Sequence, residues 1–203
     1  MDRVRFNVEA VGRALGAVEA AQSSDYDLNP ELVPLLDPER RLLPAAVLVP
    51  LVERGSRVNV ILTRRAHGLR RHGGQVAFPG GRVDPGDASL AHAALREAHE
   101  EIGLDPEAVE LVGALDTHET VTRYSVTPFV GRVVGRFEPV RDPAEVAEVF
   151  EVPLAFLLDP ANLQVHRRRW QGGWRQYYVI PYGPHYIWGA TARMLKSLAD
   201  RLA

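Results

Sequence analysis

The sequence predicts an α/β fold in which helices pack on both sides of a sheet, an α/β/α sandwich. Two continuous apolar runs, residues 45–51 and 58–63, have the length and composition of buried strands. No internal repeat or linker divides the 203 residues, so we expect a single domain spanning residues 1–203. The predicted helices lie at residues 4–21, between residues 89 and 103, and at residues 188–202.

The remaining elements follow from turn residues and apolar runs. Gly55 and Ser56 separate the two apolar runs and predict a hairpin. Residues 1–44 are expected to form an N-terminal extension, in which the first helix precedes a loop at residues 23–44 that is rich in Pro, Asp and Ser. Further predicted elements are strands at 109–116 and 126–134, a short helix or turn at 152–158, and a hairpin of 163–170 and 174–180.

The stretch from residue 81 to residue 104 predicts a turn followed by a short helix. Pro85 and Gly86 lie between two aspartates, a composition typical of tight turns. Asp87 or Ser89 would cap the start of the helix, and Gly103 would end it. We expect Asp87 to be mainly a helix cap and not a direct metal ligand.

Three glutamates lie on one side of this helix. At about 100° per residue, Glu97, Glu100 and Glu101 fall within an arc of about 100°. Like charges four residues apart destabilise an isolated helix by roughly a few tenths of a kcal/mol, so an opposing charge is expected. Mg²⁺ binds carboxylate oxygens together with substrate phosphate and is the natural candidate. A separate apolar stripe consists of Ala91, Leu95, Ala98 and Ile102.

This stretch resembles the Nudix box, in which Gly, five residues, Glu and seven residues precede Arg-Glu-apolar-x-Glu-Glu-x-Gly-apolar. Gly81 opens the box and residues 96–104 close it. Asp87 stands in place of the first Glu, and eight residues separate it from Arg96. The resemblance implies a Nudix-type α/β/α sandwich with a mixed sheet, and an Arg96 that holds the glutamates in place. It also implies Mg²⁺ or Mn²⁺ as cofactor, bound by Glu97, Glu100 and Glu101.

A second motif immediately upstream narrows the substrate. Residues 61–81 are similar to the signature of Nudix hydrolases that cleave coenzyme A, L-L-T-x-R-[SA]-x3-R-x3-G-x3-F-P-G-G, and only Ile61 departs from a fixed position. The resemblance implies hydrolysis of the pyrophosphate bond of coenzyme A, or of its thioesters or oxidised form. The implied products are 4′-phosphopantetheine and adenosine 3′,5′-bisphosphate.

The cations and glycines of this motif suit a ligand that carries a pyrophosphate and a 3′-phosphate. Arginine binds phosphates in a bidentate manner, and glycine lets backbone N–H groups approach phosphate oxygens closely. The alternative interpretation is a solvated loop. The candidate substrate-binding residues are Arg64, Arg65, Arg70, Gly74, Phe78, Gly80 and Gly81.

The identity of the general base is left open by the sequence. Glu100 is available within the box, and Glu119 lies in a loop that could swing over the site. Glu145 and Glu148 precede an apolar pair and could also approach. The candidate catalytic residues are Arg96, Glu100 and Glu119.

Composition excludes several other chemistries. The chain has no cysteine, which rules out a disulfide, a thiolate zinc site and a cysteine nucleophile. Lys196, the only lysine, is not placed for a P-loop or a Schiff base. A net charge of −2 gives no general affinity for nucleic acid. Residues 167–170, Arg-Arg-Arg-Trp, could form a nucleic-acid patch, but we favour the exposed face of a hairpin. The longest apolar run, residues 42–52, is too short to span a bilayer.

We therefore expect a cytoplasmic, metal-dependent coenzyme A pyrophosphatase whose partner is its small-molecule substrate, with no nucleic acid or membrane partner. Two alternatives remain. One is a Nudix hydrolase of another nucleoside diphosphate derivative, such as ADP-ribose or NADH. The other is a Nudix domain that binds a nucleotide without catalysis.

Overall fold

The computed structural model describes residues 7–16, 22–69, 72–170 and 172–203, and within these ranges the chain forms two sheets and four α-helices. The helices are α1 Val8–Gly16, α2 Leu90–Ile102, α3 Leu154–Leu157 and α4 Ala190–Leu202. The strands are β1 Gln22–Ser24, β2 Leu43–Arg54, β3 Arg57–Arg65, β4 Val76–Ala77, β5 Gly80–Arg82, β6 Val109–Ala114, β7 Thr117–Glu119, β8 Tyr124–Val133, β9 Val146–Pro153, β10 Gln164–Trp170, β11 Gly173–Tyr182 and β12 His185–Trp188.

The main sheet has nine strands and is mixed, as expected. Its central strand β2 pairs in parallel with β8 and antiparallel with β3 and β5. β3 also pairs with β4 and β9, β8 pairs with β6 and β7, and β1 pairs in parallel with β7. The predicted hairpin between β2 and β3 is confirmed, because Arg54 pairs with Arg57 across a turn in which Gly55 has a φ of 63°.

Helices cover both faces of the main sheet, which confirms the predicted α/β/α sandwich. On one face, α2 packs through a buried cluster that includes Ala94, Ala98 and Ile102. On the other face, α1, α3 and α4 and the second sheet, with strand order β10-β11-β12, contribute to a larger buried cluster. The strands of the main sheet supply both clusters, because successive residues of a strand point to opposite faces.

The ends of the chain differ from the predicted elements. Within the predicted helix at residues 4–21, the structure describes residues 7–16, of which Val8–Gly16 are helical and bury Val11 and Leu15. Trp188, expected to begin the last helix, is the final residue of β12. The helix starts only at Ala190, because Gly189 has a φ of 63° and interrupts regular structure between them.

Two other segments are more ordered than the sequence suggested. Residues 23–44 were expected to be a loop, but they include most of β1, a 3₁₀ turn at Pro30–Leu35 and the start of β2. Residues 146–153 form β9, so the short helix predicted from residue 152 begins at Leu154 instead. None of the described helices is long and apolar enough to cross a bilayer.

Candidate active site

Helix α2 has well-defined ends. Ser89 is its N-cap and accepts a hydrogen bond from the His92 backbone N–H at 3.1 Å. Gly103 ends it in the left-handed conformation, with a φ of 70°, and donates its N–H to the carbonyls of Ala98 and His99. The predicted C-cap is therefore confirmed, whereas the expectation that Asp87 is mainly the N-cap is wrong.

Asp87 instead anchors Arg96. Its side chain is 1% exposed and accepts from Arg96 Nε at 2.9 Å and from Arg96 Nη2 at 3.0 Å. It also accepts the Asp84 backbone N–H at 2.8 Å and lies 2.9 Å from His92 Nδ1. The hydrogen bonds from Arg96 are the largest cause of a pKa of Asp87 that lies well below the ordinary value. Asp87 is thus a charged anchor at the start of the box helix.

Arg96 spreads its guanidinium over the box. Nη1 donates to Glu100 at 2.8 Å and to Glu97 at 3.2 Å, while Nη2 reaches the Arg82 carbonyl at 3.2 Å. The hydrogen bond to Asp87 is the largest cause that raises the pKa of Arg96 above its ordinary value. With five N–H donors in a fixed plane, the guanidinium can serve several acceptors at once. This arrangement is the one expected of a residue that positions the box glutamates.

The three box glutamates differ sharply in burial. The side chains of Glu100, Glu97 and Glu101 are 57%, 16% and 2% exposed. The buried face of α2 is centred close to Glu101, because small alanines on either side let the helix approach the sheet closely. Ala93, Ala94 and Ala98 are each fully buried. The helical wheel assigned the acids and the apolar stripe to separate faces, but Glu101 lies within the packed face.

Glu101 is weakly compensated for so buried a carboxylate. Its contacts are Arg65 Nη1 at 3.3 Å and the Gly80 backbone N–H at 3.2 Å. Burial raises the pKa of Glu101 to about 8, and the charge of Glu97 adds to this effect. Burial is also the largest cause of a raised pKa at Glu97. The folded chain therefore opposes ionisation of the two inner glutamates.

The glycine pair of β5 allows this close packing. Gly81 lies so near Glu97 that a Cβ there would come within 2.5 Å of the carboxylate. Gly80 has a φ of 153°, and a Cβ on it would come within 2.5 Å of the Ala46 carbonyl oxygen. Glycine is required at position 80, where the close atoms are backbone, and at position 81 it leaves room for the Glu97 carboxylate in its present position.

A fourth carboxylate, Glu145, approaches the same place from another part of the chain. Its backbone is tied to the end of β3, since the Ala66 N–H donates to the Glu145 carbonyl at 2.7 Å. The preceding turn is tied to α2, since the Asp142 N–H donates to the Glu101 carbonyl at 3.0 Å. The negative charge of Glu145 contributes to the raised pKa values of both Glu97 and Glu101. The sequence analysis named Glu145 as able to approach, but placed Glu100 and Glu119, not Glu145, among the candidate catalytic residues.

The structure places two further candidate bases, Glu119 and Glu148, in ion pairs away from the box helix. Glu119, on β7, accepts from Arg40 Nε at 2.8 Å and from Arg40 Nη2 at 3.1 Å. Glu148, on β9, pairs with Arg64 at 2.9 Å and lies 3.8 Å from His185 Nε2. Either residue would have to leave its arginine before it could act on a substrate.

The candidate substrate-binding residues do not form a single cluster. Arg65 reaches Glu101 on the α2 side of the sheet, whereas Arg64 pairs with Glu148 on the side of the second sheet. Alternation along β3 explains the divergence of these consecutive side chains. Phe78 is 3% exposed and packs in the larger core cluster, and the Gly74 N–H donates to the Arg65 carbonyl. Arg70 lies outside the described residues.

The donor set fits a hard divalent cation in its chemistry. As the side chains are placed, no three His, Asp or Glu groups in the described part of the chain converge closely enough to hold a metal ion. Glu97 and Glu101 nevertheless present carboxylate oxygens whose charge is opposed by burial and by mutual repulsion. A cation that accepts such oxygens would remove this opposition. Glu100 could join them if it left Arg96.

Comparison with known proteins identifies the family. The NUDIX domain profile matches residues 42–171. Relatives named uncharacterized Nudix hydrolase NudL are 46% identical in Cronobacter sakazakii (strain ATCC BAA-894) and 44% identical in Enterobacter sp. (strain 638), over 158 residues that cover 76% of this chain and 80% of each relative. The NUDIX domain of Shewanella oneidensis NrtR, solved as a cocrystal with ADP ribose, has a similar fold, with a TM-score of 0.52, 18% identity, and coverage of 86% of this chain and 99% of that domain. The domain match, the identity to these relatives and the geometry of the box helix together show that the chain belongs to the Nudix hydrolase family.

Proposed function

We propose that this Nudix hydrolase cleaves the pyrophosphate bond of coenzyme A, or of its thioesters or oxidised form, with Mg²⁺ or Mn²⁺ as cofactor. The products would be 4′-phosphopantetheine and adenosine 3′,5′-bisphosphate. The observation that carries the proposal is the contact between Arg65 and Glu101. It joins the coenzyme A signature at residues 61–81 to the box at residues 81–104 in one site.

The roles of the residues follow from their contacts. Glu97 and Glu101, with Glu100 when released from Arg96, would hold the metal. A bound Mg²⁺ or Mn²⁺ would neutralise the diphosphate charge and lower the pKa of a coordinated water. Arg65 is one-quarter exposed and uses one of its five N–H donors on Glu101, so others are available to a phosphate oxygen. Arg96, anchored by Asp87, keeps the box glutamates in place.

Glu145 is our preferred residue for accepting the proton of the attacking water. Its charge already acts on both inner glutamates, and it is exposed to solvent. Glu119, the sequence-based candidate, and Glu100 remain alternatives, each held by an arginine. A general base typically contributes a factor of about 10²–10⁴ to the rate, so replacement of the correct residue has a large effect.

The decisive experiment is incubation of the protein with coenzyme A and Mg²⁺, followed by identification of the products by mass. We expect the two named products, and we expect Glu97→Gln to abolish their formation. Arg65→Gln should raise KM for coenzyme A more than Arg64→Gln does, because only Arg65 faces the box. Equal effects of the two substitutions, or no turnover at all, would contradict the proposal.

ADP-ribose is the second candidate substrate. The NrtR domain, whose fold is similar, was crystallised with ADP ribose bound. A panel of coenzyme A, dephospho-coenzyme A, ADP-ribose and NADH at equal concentration discriminates between the candidates. If kcat/KM is highest with ADP-ribose, then ADP-ribose and not coenzyme A is the substrate. Tight nucleotide binding without turnover, at saturating Mg²⁺ and Mn²⁺, would identify a binding domain without catalysis.

A further inference from the structure

The edge strand β10 carries an unusual concentration of positive charge. Arg167, Arg168 and Arg169 are consecutive, and β10 pairs with β11 alone among the described strands. No carboxylate of the described residues forms an ion pair with any of the three. Among the other exposed strand arginines of the described residues, Arg54 pairs with Glu151 at 2.6 Å, whereas Arg57 and Arg82 have no ion pair. What distinguishes the β10 edge is that three arginines without such partners are consecutive.

Aromatic rings lie beside two of these arginines, on opposite faces of the hairpin. The Arg168 guanidinium lies 4.4 Å from the Trp188 ring centre, 5.2 Å from Trp170 and 5.8 Å from Tyr177. On the opposite face, Arg167 lies 4.9 Å from the centre of the Trp174 ring. The Trp174 and Trp170 residues are 57% and 39% exposed. We call this set of seven residues the arginine–aromatic edge: Arg167, Arg168, Arg169, Trp170, Trp174, Tyr177 and Trp188.

A second copy of the chain is a poor partner for this edge. Antiparallel pairing of two β10 strands about Arg168 would place Arg168 opposite its counterpart and Arg167 opposite Arg169. Like charges directly opposite each other destabilise a strand pair. A partner that complements this edge must carry negative charge. The net charge of the chain, −2, is too small to make a second copy such a partner.

We propose that the arginine–aromatic edge binds single-stranded nucleic acid. Guanidinium groups bind phosphates, and the exposed rings of Trp170 and Trp174 can stack on bases. These are the two elements of single-strand recognition. A phospholipid surface is less suitable, because the sequence that links β10 to β11 is Gln-Gly and contains no aliphatic side chain for insertion. An acidic peptide would leave the stacking surfaces unused.

The test is fluorescence anisotropy with a 5′-labelled ten-nucleotide uridine RNA and the full chain, at a series of salt concentrations. Trp174→Ala should weaken binding roughly five- to 150-fold, the range for one lost base–aromatic stack, and Trp174→Phe should restore most of it. The double change Arg167→Gln with Arg169→Gln should reduce the salt slope by about 1.4, at roughly 0.7 per phosphate contact. Arg57→Gln, an exposed arginine on the β2–β3 hairpin, is the matched control and should have no effect.

Other outcomes would overturn the proposal. The first is no binding of the RNA at 50 mM salt. The second is binding of dextran sulfate as tight as that of the RNA, with no effect of Trp174→Ala on either. The third is binding of vesicles that contain phosphatidylserine without binding of the RNA. Displacement of the RNA by saturating coenzyme A would place it in the hydrolytic site and would also overturn the assignment. Thermal melting of each variant controls for folding. The proposal does not depend on coenzyme A being the substrate.

Discussion

Two carboxylates at opposite ends of the box helix are equally buried but differently stabilised. Asp87, before the helix, is 1% exposed and Glu101, in its last turn, is 2% exposed. Asp87 receives two short hydrogen bonds from Arg96 and one from a backbone N–H, and its pKa is lowered. Glu101 has one contact of 3.3 Å to Arg65 and one of 3.2 Å to Gly80, and burial raises its pKa to about 8.

Under the proposed function, this difference separates a structural carboxylate, Asp87, from a metal-binding one, Glu101. A buried charge that the chain satisfies stabilises the fold, whereas one that it does not satisfy costs stability unless a ligand compensates. Strongly raised pKa values in a cleft are typical of functional groups for this reason. Asp87 therefore acts on the site through Arg96, and Glu101 is the residue at which a bound cation would have the largest effect.

The largest expected effect is on catalysis by Glu101→Gln. This change keeps the shape and helix propensity of the side chain but removes the charge that a metal would bind. We expect turnover of coenzyme A to fall by about two or more orders of magnitude, because metal-assisted chemistry depends on that ligand. Kinetics at saturating Mg²⁺, with circular dichroism as the folding control, measure this. Near-normal kcat in both Glu101→Gln and Glu97→Gln would break the comparison.

The second largest effect, a loss of kcat, is expected for Glu145→Gln, with Glu119→Gln as the matched control. If Glu145 accepts the proton of the water, kcat should fall by about 10²-fold and the acidic limb of the pH–rate profile should change. Glu119→Gln should leave kcat within a few-fold of the wild type, since Arg40 holds that carboxylate. The reverse result would assign the base to Glu119, as the sequence suggested.

The contrast also predicts a pH dependence of stability in metal-free protein. The ordinary pKa of a Glu is 4.5 and that of Glu101 in the folded chain is about 8. The folded state therefore binds this proton more tightly, so its stabilising contribution is complete below pH 4.5 and is lost as the pH rises towards 8. The slope is at most about 1.4 kcal/mol per pH unit.

Melting temperatures of the wild type and Glu101→Gln, measured between pH 5 and 8.5 with a chelator present, isolate this contribution. The wild type should lose stability relative to the variant as the pH rises, and Mg²⁺ should restore it near pH 8. Parallel curves for the two proteins would show that Glu101 is adequately compensated by Arg65 and Gly80. The functional side of the comparison would then fail.

The sequence predicted the parts of this site that depend on local spacing. The helix, its Gly103 end, the position of Arg96 and the shared side of the glutamates all follow from neighbours along the chain. Burial of Glu101 could not be predicted, because it depends on β5 and on glycines that admit the helix to the sheet. The approach of Glu145 depends on the pairing of β9 with β3, two strands that lie far apart in the chain. The reach of Asp87 to Arg96 likewise depends on the path of the turn.

Asp87→Asn tests the structural side of the comparison. Asn keeps the acceptor for the Asp84 N–H but removes the charge that holds Arg96. We expect a lower melting temperature and a decrease in kcat of less than about tenfold, because Arg96 still contacts Glu97 and Glu100. A raised Mg²⁺ requirement with an unchanged melting temperature would instead make Asp87 a direct contributor to metal binding.

The smallest expected effect belongs to Ser89→Ala, which removes only the helix cap. The Ser89 hydroxyl satisfies the His92 N–H, a group that has no partner within the helix. Its loss should destabilise the protein by about 1 kcal/mol, the usual cost of an N-cap, and leave kcat and the Mg²⁺ requirement unchanged. Urea denaturation and steady-state kinetics on the same preparation measure both quantities.

The double variant with Asp87→Asn sharpens the test. If the two residues act separately, as cap and as anchor, their effects on the free energy of unfolding should add within about 0.5 kcal/mol. A markedly smaller combined effect would mean that the anchor and the cap stabilise the same helix end, and that Asp87 contributes little to holding Arg96 at the site.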